Sequence, residues 1–173
     1  LPRHVRSELE EMALATRGVA VPMITSLGST ETAPSALNVT AKAAGPGVVG
    51  IPNAGVELKL VPTAGKLEAR LKGPLITPGY WRQSDLTNTM FDPEGFYLLG
   101  DALKFADPDD AEKGFVFDGR VAEDFKLATG TWVSVGPLRA RLIEGLAPLV
   151  RDVVIAGHDR DDVSALLIPD IDA

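Results

Sequence analysis

The stretch best equipped for chemistry is SLGSTETAP, residues 26–34. It ends an apolar run and sets Ser29, Thr30, Glu31 and Thr32 in four consecutive positions, behind Gly28 and ahead of Ala33 and Pro34. The ordinary reading is a strand end and turn in which Ser29 or Thr30 caps the next element. The functional reading is an anion-and-metal site. Glycine lets a phosphate approach the backbone, and hydroxyls donate to its oxygens. A lone carboxylate can hold one edge of a hydrated Mg²⁺ whose other ligands come from substrate phosphates and water. Further along, Asp101 in LLGDAL, Arg120 in FDGR and Lys126 in EDFKL are charged side chains among apolar neighbours. Each has a plain alternative: a surface turn aspartate, a solvated arginine, and the wet face of a strand.

The rest of the composition narrows the choice. In 173 residues the net charge is -7, which argues against a broad basic face for nucleic acid. There is no cysteine, hence no disulfide framework and no thiolate metal site. The two histidines, His4 and His158, are too few for a multi-histidine centre. No apolar run approaches the length of a membrane span, and no signal peptide is expected. A cytoplasmic chain with no membrane partner is the expectation. The chain opens on LPRHVRSELE without Met and stops at LLIPDIDA just after an apolar run, so a fragment of something longer is expected.

These residues must be positioned by regular elements. Val5, Leu9, Met12 and Thr16 recur at helical spacing and predict an amphipathic helix over 3–16, with Pro2 in its first turn and Gly18 at its end. Residues 19–26 read as a strand apolar enough to be buried on both faces. AAGPG at 43–47 is a loop. Beyond it the period becomes two: Val56, Leu58 and Leu60 alternate with Glu57 and Lys59, and Leu67, Ala69 and Leu71 alternate with Glu68 and Arg70. PTAG joins the two runs into a hairpin with one wet face. Short strands are expected near 75–77, 96–99, 103–105 and 115–117, separated by turns at DPEG and DPDDAEKG. Strands so closely spaced suggest a small sheet or barrel. Past DGR the texture changes. Phe125–Leu127 and Trp132–Val135 read as a hairpin. GPLRARLIEGLAPLV reads as a helix with Leu138, Leu142 and Leu146 on one face. Val153–Ala156 and Ala165–Ile168 read as strands. The expected class is α+β and β-rich. Residues 1–118 form one domain, with a β-barrel-like part over about 45–118, and residues 119–173 begin a smaller α+β unit.

Three more stretches stand in a telling order: GKLEARLKGPLITPGYWRQ at 65–83, FDPEGFYLLGDALKF at 91–105 and GFVFDGRVAEDFKLATGTW at 114–132. With the S-T-E stretch, this series resembles the adenylate-forming superfamily of acyl-CoA synthetases, adenylation domains and luciferases, over about residues 20–130. The wording of 118–142 looks closest to feruloyl-CoA synthetases. The resemblance implies roles for individual residues. Thr30 would meet the ATP phosphates, with Gly28 and Ser29 beside it, and Glu31 would bind Mg²⁺. Asp101 would accept both ribose hydroxyls, a task suited to two carboxylate oxygens facing a vicinal diol. Arg120 would also reach the ribose. Lys126, after a hinge, would stabilise charge on the attacked acyl carbonyl in thioester formation, and Gly130 would lie beside the CoA pantetheine. The implied parent is an acid–thiol ligase using ATP, Mg²⁺ and CoA on a ferulic-type carboxylic acid, with homo-oligomerisation left open.

The departures are specific. Leu27 stands where the family often has an aromatic residue stacking on adenine, and Ala122 stands at the hinge, where Asp or Lys is usual. LATGTWVSVGPLR is longer than the usual segment, and Arg139 lies near a position that is often acidic. The family's phosphate loop and its late adenylating lysine are both missing from the chain, so the isolated chain is expected to be inactive. Two rivals remain: an adenylation domain loading a carrier-protein thiol, and a non-catalytic β-rich binding module.

Overall fold

A computed structural model describes residues 3–21, 24–45 and 47–171. The chain divides into two compact units, Leu1–Phe117 and Asp118–Ala173. In the first, α1 (Arg3–Arg17) is followed by β1 (Ser26–Leu27), β2 (Leu37–Asn38), β3 (Val48–Pro52), β4 (Glu57–Thr63), β5 (Lys66–Lys72), α2 (Ser84–Thr89), β6 (Tyr97–Phe105) and β7 (Phe115–Arg120). These strands build one sheet in the order β1-β2-β3-β7-β6-β5-β4.

The β4–β5 hairpin is written locally. Ala64 and Gly65 both take positive φ, 50° and 82°, the two-residue turn whose twist matches the strands it joins. Register then runs from Thr63↔Lys66 to Glu57↔Lys72 without a slip. Its apolar face packs into a core of Ala36, Leu37, Val49, Val56, Ala69, Leu71, Tyr97, Leu99, Leu103 and Phe115. The other face is not simply wet. Glu68 is only 6% exposed and receives Arg70 Nη2 at 2.9 Å, while Arg70 Nη1 and Lys59 Nζ both reach Asp92 Oδ2, at 3.2 and 2.8 Å. The turn at DPEG covers the polar face with its own carboxylates, and Phe96 lies under Lys59 Nζ, 4.3 Å from the ring centroid.

Several expectations change in three dimensions. The segments at 96–99 and 103–105 are one strand, β6, whose register against β5 shifts between the pairs Glu68↔Ala102 and Arg70↔Leu98. Gly100, at φ 75°, sits at that bulge. No strand forms at 75–77: Pro74 and Pro78 bracket it and lack the N–H a ladder needs. Leu75 and Ile76 instead pack against the core. Ser26–Leu27 is the only strand within the described part of 19–26; Pro22 and Met23 lie outside the described residues. Val19 is 61% and Ile24 80% exposed, so this apolar run is not buried on either side among the described residues. Helix α1 forms as expected, ending where Gly18, at φ 70°, donates its N–H to the Leu14 carbonyl; Pro2 lies outside the described residues. Its apolar stripe stays open, with Leu9, Met12 and Leu14 exposed. Strands β2 and β3 and helix α2 were not anticipated. The register of β3 against β7 shifts at Gly50, where a Cβ would stand 1.9 Å from the Asn38 carbonyl oxygen, so only glycine lets β3 lie this close to β2.

The second unit contains β8 (Phe125–Lys126), β9 (Trp132–Val133), α3 (Val135–Leu146), β10 (Val150–Ala156) and β11 (Ser164–Pro169). β8 and β9 pair as the expected hairpin, and β10 pairs antiparallel with β11. α3 stops at Leu146 rather than running to Val150, because Pro148 disfavours helical backbone at the preceding residue. Its first turn is held by Asp124, whose Oδ1 accepts from the Val135 N–H at 3.0 Å. Among the described residues, no helix is long and apolar enough to cross a membrane.

Candidate active site

The turn that carries Glu31 is fixed by its own hydroxyls. Residues Thr30–Thr32 form one tight helical turn with Ser29 at its N-cap position. Ser29 takes the N-cap position, one of the two residues expected there, and Thr32 closes the cap from the other end of the turn. Thr32 Oγ1 accepts from the Ser29 N–H at 2.8 Å and donates to the Ser29 carbonyl at 3.0 Å. Thr32 is fully buried. The turn closes against Gly28 so tightly that a Cβ there would meet the Pro34 carbonyl oxygen at 2.0 Å. The glycine therefore serves the loop's own closure. Ala33, at φ 52°, completes the reversal.

Glu31 is then pinned from far along the chain. The Thr77 N–H donates to its backbone carbonyl at 2.8 Å. The Tyr80 hydroxyl donates to its Oε1 at 2.7 Å, across 49 positions of sequence. This is the role of the stretch from Thr77 to Tyr80: it fastens the turn at backbone and side chain. Tyr80 is itself held by α2, since its N–H donates to Thr87 Oγ1 at 2.9 Å. A Cβ on Gly79 would meet Thr87 Cγ2 at 2.4 Å, so the helix sits hard against this glycine.

The electrostatics follow from these contacts. The Glu31 carboxyl is held below its ordinary range, first by the Tyr80 hydroxyl and then by Ser29. The carboxylate in turn pushes the Tyr80 phenol well above its usual value. Tyr97, 3% exposed, is raised chiefly by burial and lies within the influence of Ser29, Glu31 and Tyr80. Ser29 Oγ is buried yet makes no well-formed hydrogen bond to a protein atom; its effect on Glu31 is that of a nearby hydroxyl. The structure thus gathers Ser29, Glu31, Tyr80 and Tyr97. Sequence reading missed both tyrosines, although G-Y stood in a quoted motif; nothing in spacing alone links position 80 to position 31.

Asp101 lies on β6, four residues beyond Tyr97. It is not the surface turn aspartate of the plain reading, because it is 5% exposed within a strand. Thr30 is exposed on the turn. Arg120, Lys126 and Gly130 belong to the second unit. Arg120 ends β7 and is exposed. Lys126 is exposed on β8, opposite Trp132, with its Nζ 5.0 Å from that ring centroid. The Asp159 N–H donates to the Lys126 carbonyl at 3.0 Å, tying the strand to the β10–β11 turn. Gly130, at φ 84°, makes the hairpin turn with its N–H on the Leu127 carbonyl. A Cβ there would meet nothing within 4 Å, so backbone conformation rather than crowding calls for glycine.

Within the first unit an open cleft of about 420 Å³ runs past Tyr80, Trp81, Arg82 and Thr87. In the second, a depression of about 460 Å³ is lined by Phe125, Gly157, His158 and Arg160. Neither takes in Glu31 or Asp101. No group of three or more His, Cys, Asp or Glu among the described residues could hold a metal unaided. Glu31 fits only an ion that draws its remaining ligands from phosphate and water.

No family model matches the chain. Among curated proteins, it is 36% identical to a carboxylic acid reductase of Mycobacterium tuberculosis over 107 residues, 61% of this chain and 9% of that protein. It is 30% identical to a probable CoA ligase of Humulus lupulus over 138 residues, 73% of this chain and 22% of that protein. A solved structure of the adenylation domain of the Segniliparus rugosus carboxylic acid reductase, in complex with AMP and a co-purified carboxylic acid, superposes with TM-score 0.67. It is 28% identical and covers 95% of this chain, which covers 25% of that one. The chain therefore spans a quarter or less of each protein it matches here. Its mixed, sheet-rich architecture is the fold of the adenylation domains of acyl-CoA ligases.

Proposed function

We infer that this chain is a segment of an adenylate-forming enzyme, the superfamily its sequence relatives and fold support, and that the whole protein activates a carboxylic acid with ATP. The observation that carries this reading is Glu31, an ionised carboxylate on a hydroxyl-rich turn, clamped at its carbonyl by Thr77 and at Oε1 by Tyr80. The substrate carboxylate attacks the α-phosphorus of ATP, pyrophosphate leaves, and an acyl adenylate forms. Glu31 would hold Mg²⁺, which offsets the phosphate charge as pyrophosphate departs. Thr30, exposed beside it, would donate to phosphate oxygens. Asp101 would accept the ribose hydroxyls, joined by Arg120. Ser29, beside Glu31, would donate to the nucleotide or the acid.

In the second half-reaction a thiol attacks the acyl carbonyl and AMP leaves. Lys126 would stabilise the charge that develops on that carbonyl oxygen, and Gly130 would border the thiol's approach. A small unit that presents different faces in turn lets one site perform both steps, with the hinge near Ala122. We propose CoA as the acceptor, a ferulic-type aromatic acid as the substrate and the cytoplasm as the setting. The kinship with carboxylic acid reductases specifically favours a second acceptor, the thiol of a carrier domain.

The test uses the full-length protein. With ATP and Mg²⁺, acid-dependent exchange of labelled pyrophosphate into ATP is expected, greater with ferulate than with an aliphatic acid of similar length. Absence of exchange with every acid would overturn the reading and favour a binding module. Thioester formation with free CoA, against loading of a carrier domain alone, separates the two acceptors.

A further inference from the structure

The Glu31 carboxyl is held by a side chain from a distant part of the chain. Oε1 takes the Tyr80 hydroxyl at 2.7 Å. Tyr80 cannot drift, because Thr87 on α2 accepts its N–H and Thr77, three residues earlier, grips the backbone of Glu31 itself. Thr87 Oγ1 is in turn oriented by donating to the Gln83 carbonyl at 2.8 Å. A run of hydrogen bonds therefore leads from a six-residue helix, through one phenol, to one carboxylate oxygen.

We propose that Tyr80 is a positioning residue for Glu31. By bonding Oε1 it fixes the rotation of the carboxyl and orients it for a divalent cation arriving with its nucleotide. A carboxyl held in one orientation suits an ion that takes few protein ligands and keeps most of its shell from phosphate and water. Groups that orient a metal-binding carboxylate from behind typically change metal affinity by about 10–100-fold when removed. α2 acquires a purpose in this arrangement: it holds the residue that carries the phenol.

This inference rests on the adenylate-forming reading, and the experiment separates the two. Mn²⁺ binding to the full-length protein is followed by electron paramagnetic resonance in the presence of a non-hydrolysable ATP analogue. Nucleotide-dependent Mn²⁺ binding by the unaltered protein is expected; its absence overturns the functional reading itself. Tyr80→Phe, which removes only the hydroxyl, is expected to weaken that binding about tenfold, to raise the Mg²⁺ concentration for half-maximal exchange in parallel, and to leave the melting temperature nearly unchanged. Glu31→Gln added to Tyr80→Phe is expected to cost much less than in the unaltered background, because the two act as one unit. Unchanged Mn²⁺ affinity in a folded Tyr80→Phe protein would overturn the positioning role while leaving the enzyme reading intact. Should Tyr80→Phe fail to fold, Thr87→Val loosens the phenol from behind. A shift of severalfold in the same direction supports the proposal, and no shift overturns it.

Discussion

Glu31 and Lys126, the two charged residues with the largest proposed chemical roles, are held in opposite ways. Glu31 lies on a three-residue turn with little structure of its own, yet contacts from positions 77 and 80 immobilise it. Lys126 lies on a two-residue strand paired with its nearest neighbour in sequence, exposed, its ammonium resting over Trp132. One carboxylate is fixed by non-local ties; one ammonium sits at the end of a flexible stem on a local hairpin. A group that must meet phosphate charge at a set place gains from being fixed. A group that must arrive for one half-reaction and withdraw for the other gains from a carrier that folds locally. The contrast predicts that damage at Glu31 spreads to its surroundings, whereas damage at Lys126 stays at Lys126.

The strongest test of that contrast is Glu31→Gln in the full-length protein. It keeps the shape and a hydrogen bond with Tyr80 but removes the charge. Pyrophosphate exchange is expected to fall by about 100-fold or more, the scale of deleting one preorganised electrostatic contact. Exchange within a few-fold of normal would remove Glu31 from the chemistry. Lys126→Ala comes next and should divide the two half-reactions. Acid-dependent exchange is expected to persist, while transfer from pre-formed acyl adenylate to the thiol slows by about 100-fold. Equal slowing of both steps would mean that Lys126 is not reserved for the second.

A stability measurement then probes how the fixed site is built. Gly28→Ala places a methyl 2.0 Å from the Pro34 carbonyl oxygen and 2.5 Å from Thr32 Oγ1, so the turn must open. A loss of about 3 kcal/mol is expected, at the upper end for overpacking. Gly130→Ala meets no atom within 4 Å and is strained only through its positive φ. About 1 kcal/mol is expected there. Chemical denaturation of the two variants ranks them; equal costs would erase the distinction between a crowded loop and an open one.

What the sequence made legible follows the same division. α1, the β4–β5 hairpin and the β8–β9 hairpin were readable because each carries its signals within a few residues: Gly18 as a helix stop, Ala64-Gly65 as a turn, and alternation on either side. β2 and β3 were not, because Gly50 and Pro52 look like loop residues until close pairing with β2 makes the glycine necessary. The hairpin's wet face was half right. Glu57 is exposed, but Glu68 is covered because Asp92 and Glu94 return on it from a turn more than twenty positions away. At the site, Glu31 and Asp101 were found by residue type and motif order. Tyr80 and Thr77 were not, since a phenol and a backbone N–H declare their partners only when the chain has folded. Asp124 likewise carried no local signal and proved to hold the start of α3.

The smallest expected effect separates the carboxylates within the sheet from the rest. Asp92 is held well below the ordinary carboxylate range, first by the Lys59 ammonium and against the cost of burial, with help from the Phe96 N–H, Arg70 and the Glu94 N–H. Glu68 and Glu94 share the same cations. A carboxyl whose pKa is lower folded than unfolded adds stability above its unfolded value, near pH 4, and that stability drains away as pH falls further. Melting temperature is therefore expected to be nearly flat from pH 7 to pH 5 and to decline below about pH 4. Asp92→Asn should melt lower at neutral pH and decline less steeply in acid, since one proton fewer is taken up on unfolding. Some slope will remain, because Asp107 beside Lys113, and Asp152 beside the Val153 N–H and Arg139, are lowered too. Arg139→Gln tests the second unit in the same way. Its acid slope is expected to change less than that of Asp92→Asn, because Asp152 relies first on a backbone N–H that the substitution leaves in place. An equal change would show that the exposed pair in the second unit is as firmly built as the covered network in the first.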